Sequence, residues 1–414
     1  MREAPILILL APPVSSLRAS NVARGSDSDP VILGLSLIQR AALAARRAGY
    51  GQVLLLGGNG ALLGGNGAAP RGVAAIADWR SLAATISSHA GPLIIAPAAI
   101  LAESDWLERL ALARTERAAW AGIPKRIVML PAGSVVDAVQ ALDEGGGARD
   151  IAAVEGRLTH LFGPPSPIPA RVDPMVVETP ADVRAAERRL LRGLVKDTDG
   201  FMARHVERPI SLMISRRLAG TAITPNQMSL ISIAVGICGG PFFLSARPLM
   251  QTIGALLFLA HSILDGCDGE LARLKFQQSR WGGILDFWGD NIVHTVIFSC
   301  MGVGWSLSAR ATWPLALGAA AVFGTLGSAG FVYWRLMRSK DDGAFASVTA
   351  SPDLPLARLL DSASRRDFIY LVTLLALFGR SDWFLVMAAI GAPIYFLLVL
   401  FASRAPASLK GLAE

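Results

Sequence analysis

From Thr224 onward the chain is built of long apolar runs, six of which read as membrane spans, at about 226–246, 249–271, 283–308, 312–334, 366–379 and 382–402. About 20 apolar residues are what a helix needs to cross the hydrocarbon core, and a single segment in lipid must close its backbone hydrogen bonds as a helix. The second half of the chain is therefore expected to be an all-α bundle of six transmembrane helices. The fifth run is short and needs its flanks to cross. Composition agrees: hydrophobic residues make up 52% of 414 and mean hydropathy is +0.46, too apolar for one soluble fold.

Before about residue 200, charged and loop residues recur at globular density. Short apolar segments, "PILILLAP", "GQVLLLGG", "PLIIAP" and "RIVMLP", alternate with helical patterns such as "LSLIQRAALAARRAGY", a helix near 80–89, one from Ser104, and "SVVDAVQALDE". Strands separated by helices of this length predict βαβ units, a largely parallel sheet and a Rossmann-like α/β domain over residues 1–178. "LFGPPSPIPARVDP" reads as a proline-rich turn or linker. The opening "MREAPILILLAPPVSS" has a short apolar run, but Glu3, one positive charge and two prolines argue against a signal peptide.

A helix is expected from Thr179, with that residue as cap and Pro180 at the first helical position. The stretch 179–222 carries Arg188, Arg189, Arg192, Lys196, Arg204, Arg208, Arg216 and Arg217, which fits basic helices along an anionic membrane surface. Residues 223–405 form the membrane domain. Lys and Arg crowd the chain before the first span, the loop with Arg273, Lys275 and Arg280, and the loop with Arg335, Arg338, Lys340, Arg358, Arg365 and Arg366. The opposite loops offer Arg247, Arg310 and Arg380. The positive-inside rule then makes this a multi-pass protein of the cytoplasmic (inner) membrane, with both termini and the α/β domain in the cytoplasm. The net charge of +7 lacks an aromatic-interleaved basic patch, so phospholipid, not nucleic acid, is the expected polyanion. Cys238, Cys267 and Cys300 have no metal or disulfide spacing and read as packing residues.

Four aspartates interrupt the apolar pattern in "HSILDGCDGELARLKFQQSRWGGILDFWGDN". At 100° per residue, Asp265, Asp268, Gly269 and Ala272 share one helical face, and Gly282, Asp286 and Asp290, four apart, form a stripe on the next helix. Helices joined by so short a turn pack antiparallel, which brings the carboxylates together at the cytoplasmic end. Four such acids would repel one another and cost roughly 2.5–3.5 kcal/mol each at mid-membrane. Divalent cations answer both problems. All-oxygen ligation favours Mg2+ or Mn2+, and a pair of such ions is the usual clamp for a phosphate ester. His261 and His294 flank the aspartates by one turn, as outer partners or simple interfacial histidines. Asn226 can meet a nucleotide or serve the helix start.

The series Asp265-x2-Asp268-Gly269-x2-Ala272-Arg273-x8-Gly282-x3-Asp286-x3-Asp290 resembles the complete signature of the CDP-alcohol phosphotransferases (CDP-alcohol phosphatidyltransferases). The resemblance runs from about 195 to 402. It implies that Asp265, Asp268, Asp286 and Asp290 bind the metal pair, that Asp290 is also the base, that Gly269 and Ala272 leave room for cytidine, and that Arg273 and Gly282 belong to the same nucleotide site. The implied reaction moves a substituted phosphate from a CDP-linked donor to an alcohol or phospho-alcohol acceptor and releases CMP. Phospholipid or inositol-phosphate synthesis would be its setting, in a homodimer for which "GTLGSAG" at 324–330 offers small residues.

The first half resembles the nucleotidyltransferase-like domain fused to some members, including those making inositol phosphodiesters, through "GLSLIQRAALAARRAGYGQVLLLGG". The catalytic features do not carry over. Pro12 and Pro13 in "LAPPVSSLR" remove amides from the phosphate loop, leaving Arg18, and Ala96-Pro97 stands where the family has a metal-binding Gly-Asp. A degenerate regulatory, scaffolding or substrate-delivery domain is expected. "GGNGALLGGNG" at 57–67 lacks strand and helix context and reads as a surface loop. The alternatives are a bifunctional cytidylyltransferase/phosphotransferase and a divalent-ion transporter. Spans four to six hold no acid except Asp367 and Asp382 at their ends, which disfavours the transporter.

Overall fold

Ile6–Leu10 (β1), the run that superficially resembled a leader, is a fully buried strand paired in parallel on both sides. Its neighbours are Gln52–Leu56 (β2) and Leu93–Pro97 (β4). Continuous apolar sequence is what a strand covered on both faces requires. The computed structural model describes residues 3–11, 29–57, 72–113, 120–144, 148, 150–168, 172–195, 200, 202–338 and 368–404, with backbone alone at 335–338 and 402–404. Pro12, Pro13, Arg18, the glycine-rich 58–67, Lys196, Lys340, Arg358, Arg365, Arg366 and Asp367 lie outside the described residues, as do the side chains of Arg335 and Arg338.

Two compact units divide the chain, Met1–Gly193 and Leu194–Glu414. In the first, a seven-stranded sheet adds Ala74–Ile76 (β3), Ala121–Ile123 (β5), Ile127–Leu130 (β6) and Ser166–Pro167 (β7), in the order β7-β5-β6-β4-β1-β2-β3. The sheet is largely parallel, as expected, and mixed through one strand: β6 runs antiparallel to both β4 and β5. Apolar periodicity marks a strand but not its direction, so this reversal is invisible in "RIVMLP". Helices α1 (Leu37–Arg47), α2 (Trp79–Ile86), α3 (Ser104–Leu112), α4 (Val135–Glu144) and α5 (Ile151–Phe162) accompany the sheet. Ile6, Ile8 and Leu10 join a core with Leu82 of α2, Val139 of α4 and Val154 of α5. Ala96 is buried at the end of β4, so the place where a Gly-Asp pair would supply a carboxylate is apolar.

Thr179 caps α6 (Pro180–Arg192) in a capping box with Asp182. This helix belongs to the first unit, and the division at Gly193 falls inside the basic stretch 179–222. Arg189 is committed to Glu103 at 2.6 Å and Asp173 at 2.8 Å, pairing that the sequence gave no reason to separate from a lipid-facing charge.

The second unit starts with a π-helical turn, Ala203–Glu207, leading into α7 (Arg208–Ala219). Then come α8 (Pro225–Gly239, continued to Leu244 as a 3-10 turn), α9 (Pro248–Leu274), α10 (Arg280–Ala309), α11 (Trp313–Arg338), α12 (Phe368–Leu377) and α13 (Ser381–Arg404). Among the described residues, five helices are long and apolar enough to cross a membrane, which fits a multi-pass unit; α12, with 10 described residues, falls short by length. Ile369, Val372 and Ala376 of α12 nevertheless enter the same core as Phe258, Val293 and Phe384. The glycines at 324 and 327 are used inside the bundle. A Cβ on Gly324 would collide with the backbone of Ala392 and Pro393, and one on Gly327 would lie 3.0 Å from Phe396.

Candidate active site

Two helices carry the aspartates because the connection between them is only Lys275–Ser279. Phe276 turns the chain with a left-handed φ of 55°, and the Gln277 amide returns to the Ala272 carbonyl at 2.9 Å. Ser279 then caps α10 through the Gly282 amide. The two helices, each packed on α8, bring carboxylate oxygens of Asp265, Asp286 and Asp290 within 4.8 Å of one another, whereas the direct antiparallel packing expected of them is not what joins them. Asp268 points to the neighbouring helix: its Oδ2 accepts the hydroxyl of Ser229 on α8. Both α9 aspartates are buried, and those of α10 are half-buried.

The other expected residues sit around this cluster. Gly269 is covered by the Arg273 guanidinium, 3.3 Å from where a Cβ would stand, so the small residue makes room for an arginine of its own helix. Ala272 is half-buried on the same helix. Asn226, exposed in the first turn of α8, has its Oδ1 3.0 Å from where a Cβ of Gly282 would be, which brings the start of the first span against the start of α10. Thr224 forms a capping box with Gln227, so Asn226 is not itself the cap.

Of the two histidines, one reaches the site. His261 Nε2 lies 3.4 Å from Asp290 Oδ1, and its Nδ1 is 3.0 Å from the Ser232 carbonyl. His294 packs in an aromatic cluster, 5.4 Å from Phe258 and 5.7 Å from Phe368 between ring centroids.

Several residues at the site carried no signal in sequence. Glu270, fully buried between Gly269 and Leu271, accepts Arg208 Nη1 at 2.9 Å and the hydroxyls of Ser211 and Ser215 at 2.7 Å each. Glu207 accepts Ser262 at 3.3 Å and Tyr370 at 3.2 Å. Lys275 Nζ donates to the carbonyls of Thr221 and Ile223 at 2.8 and 2.7 Å, tying the turn after α9 to the segment before α8. The ammonium is held somewhat below its usual pKa by burial. A basic loop residue that read as an orientation signal is thus a structural clasp.

Three carboxylates with oxygens this close disfavour being charged together, and oxygen is the only donor they offer. That donor set fits a hard divalent cation.

Residues 222–378 match the family described as CDP-alcohol phosphatidyltransferase. Among curated proteins, a bifunctional IPC transferase and DIPP synthase of Rubrobacter xylanophilus is 35% identical over 187 residues, 44% of this chain and 41% of that protein. The protein of the same description from Thermococcus kodakarensis is 41% identical over 111 residues, 27% of this chain and 24% of its own length. A CDP-diacylglycerol–serine O-phosphatidyltransferase of Mycobacterium leprae is 31% identical over 100 residues, 22% of this chain and 32% of that one. The chain thus spans less than half the length of these relatives. A crystal structure of Mycobacterium tuberculosis phosphatidylinositol phosphate synthase with CDP-DAG bound aligns at 18% identity and a TM-score of 0.34, over 50% of this chain and 100% of that one.

Proposed function

We propose that the protein is an integral-membrane transferase that moves a substituted phosphate from a CDP-linked donor, CDP-diacylglycerol or another CDP-alcohol, to an alcohol or phospho-alcohol acceptor and releases CMP. The observation that carries this reading is the convergence of Asp265, Asp286 and Asp290 from two helices joined by a five-residue turn, with Asp268 beside them. Asp265, Asp268, Asp286 and Asp290 would hold Mg2+ or Mn2+, as two ions. Bound there, the cations would neutralise the donor's pyrophosphate and draw electron density from the phosphorus. Asp290 takes the proton of the acceptor hydroxyl; the freed oxygen bonds to the β-phosphorus as the bond to CMP breaks. Positioning supplies most of the rate. Asn226, Gly269, Ala272, Arg273 and Gly282 frame the cytidine.

α12, extended by its flanks, completes six spans; the basic loops put the acidic end and an α/β Rossmann-like domain in the cytoplasm. Domain limits of 1–178, 179–222 and 223–405 follow the composition. The first domain has lost the chemistry of a cytidylyltransferase and serves a regulatory, scaffolding or delivery role. With Gly324 and Gly327 engaged inside the bundle, a homodimer would use another face.

The test is CMP release by purified protein with Mg2+ or Mn2+, offering CDP-diacylglycerol or CDP-inositol across an acceptor panel. Release from one donor, lost in Asp290→Asn, is the expected result and distinguishes lipid from soluble phosphodiester synthesis. No release from any pairing by folded, metal-bound protein would overturn the reading.

A further inference from the structure

The first span gives no carboxylate to the acidic cluster, yet it holds two of the four aspartates. Ser229 is 2% exposed and donates its hydroxyl to Asp268 Oδ2. One turn further along α8, the Ser232 carbonyl faces His261 Nδ1 at 3.0 Å. The contact with the Ser232 carbonyl fixes the ring with Nε2 toward Asp290 Oδ1, 3.4 Å away. His261 is 2% exposed, and its ring lies nearly parallel to that of Phe258, at 10° and 6.3 Å between centroids. Gly236, the next turn of α8, permits this approach: a Cβ there would stand 2.9 Å from His261 Cγ and 2.6 Å from a Val293 methyl carbon. Ser229, Ser232 and Gly236 follow the i, i+3, i+7 spacing of one helical face.

We propose that Ser229 and His261 are positioning residues: Ser229 orients Asp268 for cation binding, and His261 orients Asp290 for its contact with the acceptor hydroxyl. The proposal rests on the transferase reading. An aspartate side chain has two rotatable bonds, and a fixed partner is what selects among their rotamers. The Ser229 hydroxyl occupies one oxygen of Asp268, which confines the carboxylate to the rotamer that turns its other oxygen away from α8. The His261 ring, held by the Ser232 carbonyl, stands 3.4 Å from Asp290 Oδ1, limits where that carboxylate can lie and transmits to it the position of the α8 backbone. Outer partners of metal-binding side chains typically set affinity or activity by 10- to 100-fold.

The test uses the full chain in detergent micelles, with Mn2+ binding followed by electron paramagnetic resonance of the free ion and CMP release measured alongside. Ser229→Ala is expected to weaken Mn2+ binding on the order of 10- to 100-fold at an unchanged melting temperature. Ser229→Thr, which keeps the hydroxyl, should restore it. His261→Phe preserves the stack on Phe258 but loses both polar contacts; it should lower kcat at saturating Mn2+ and leave the donor KM unchanged. His261→Gln, which can present an amide to Asp290, should recover part of that loss. Wild-type Mn2+ affinity in Ser229→Ala, or a loss that Thr fails to repair, overturns the role at Asp268, and a wild-type kcat in His261→Phe overturns the role at Asp290. Wild-type protein that binds Mn2+ but releases no CMP overturns the transferase reading alone, and the Asp268 role is then decided by the Mn2+ affinities. Wild-type protein that binds no Mn2+ overturns both.

Discussion

Asp29 precedes α1, and its carboxylate accepts the Leu37 and Ile38 amides at 3.1 and 3.4 Å. Burial pushes its pKa from an ordinary 3.8 up to about 6, outweighing hydrogen bonds from Ser36, Ile38 and Leu37 that pull it down. The sign follows from linkage. A carboxyl whose folded pKa is raised favours folding while protonated, so its contribution is full below pH 3.8 and is lost as pH rises through about 6. The loss amounts to about 3 kcal/mol. Asp29→Asn removes the charge and keeps an acceptor for α1. Unfolding free energies of the two proteins are expected to agree near pH 4 and to diverge until about pH 6, with the asparagine form the more stable above it; parallel profiles would refute the burial argument. At this scale sequence is a partial guide. The four aspartates are legible because helical spacing alone puts them on matched faces. Ser229 and Lys275 are not, and His261 is marked only as one of two flanking histidines, because the partners that give the three their roles lie 39, 54 and 29 residues away along the chain, and no local pattern encodes such contacts.

Among the elements, α7 is the one whose attachment depends most on buried charge. Its Arg208, Ser211 and Ser215 all converge on Glu270, which has no exposure to solvent. The preceding π-helical turn ends at Glu207, which binds α9 through Ser262 and α12 through Tyr370. Breaking a buried ion pair from one side costs about 3–5 kcal/mol because the remaining charge is stranded, whereas replacing both partners by apolar residues is often neutral or stabilising. Arg208→Met should therefore lower the melting temperature markedly, and Arg208→Met with Glu270→Met should regain most of the loss. A double variant as unstable as the sum of its singles would mean that the pair contributes nothing as a pair. One element start was readable from chemistry: Thr179, the expected cap, opens its helix through a capping box, while the box at Thr224 is seen in the structure. Partner choice was not, since α6 has the basic composition of a membrane-surface helix and spends Arg189 on Glu103 and Asp173.

At the scale of the whole molecule, the acidic end of the bundle makes stability depend on what is bound there. The two-part division was visible as a change of apolar density, but its place at Gly193 depends on packing that composition does not record. The same holds for α12, where hydropathy marks a run and only the shared core with Phe258 and Phe384 assigns it to the bundle. Without a cation, the carboxylates of Asp265, Asp286 and Asp290 oppose one another within 4.8 Å. A ligand that binds only the folded form stabilises it by RT ln(1 + [L]/Kd), about 2.7 kcal/mol at 100 times Kd. Mn2+ should therefore raise the melting temperature of the wild type, and chelation should reverse the rise. Asp286→Asn removes one of the opposed charges and one of the proposed ligands at once. In chelator it should melt above the wild type, because less repulsion is folded in, and it should gain little on adding Mn2+. The two changes have opposite signs on one substitution, which no general effect on packing produces. A variant that melts below the wild type in chelator and still responds fully to Mn2+ would place the cation, and the chemistry built on it, away from these aspartates.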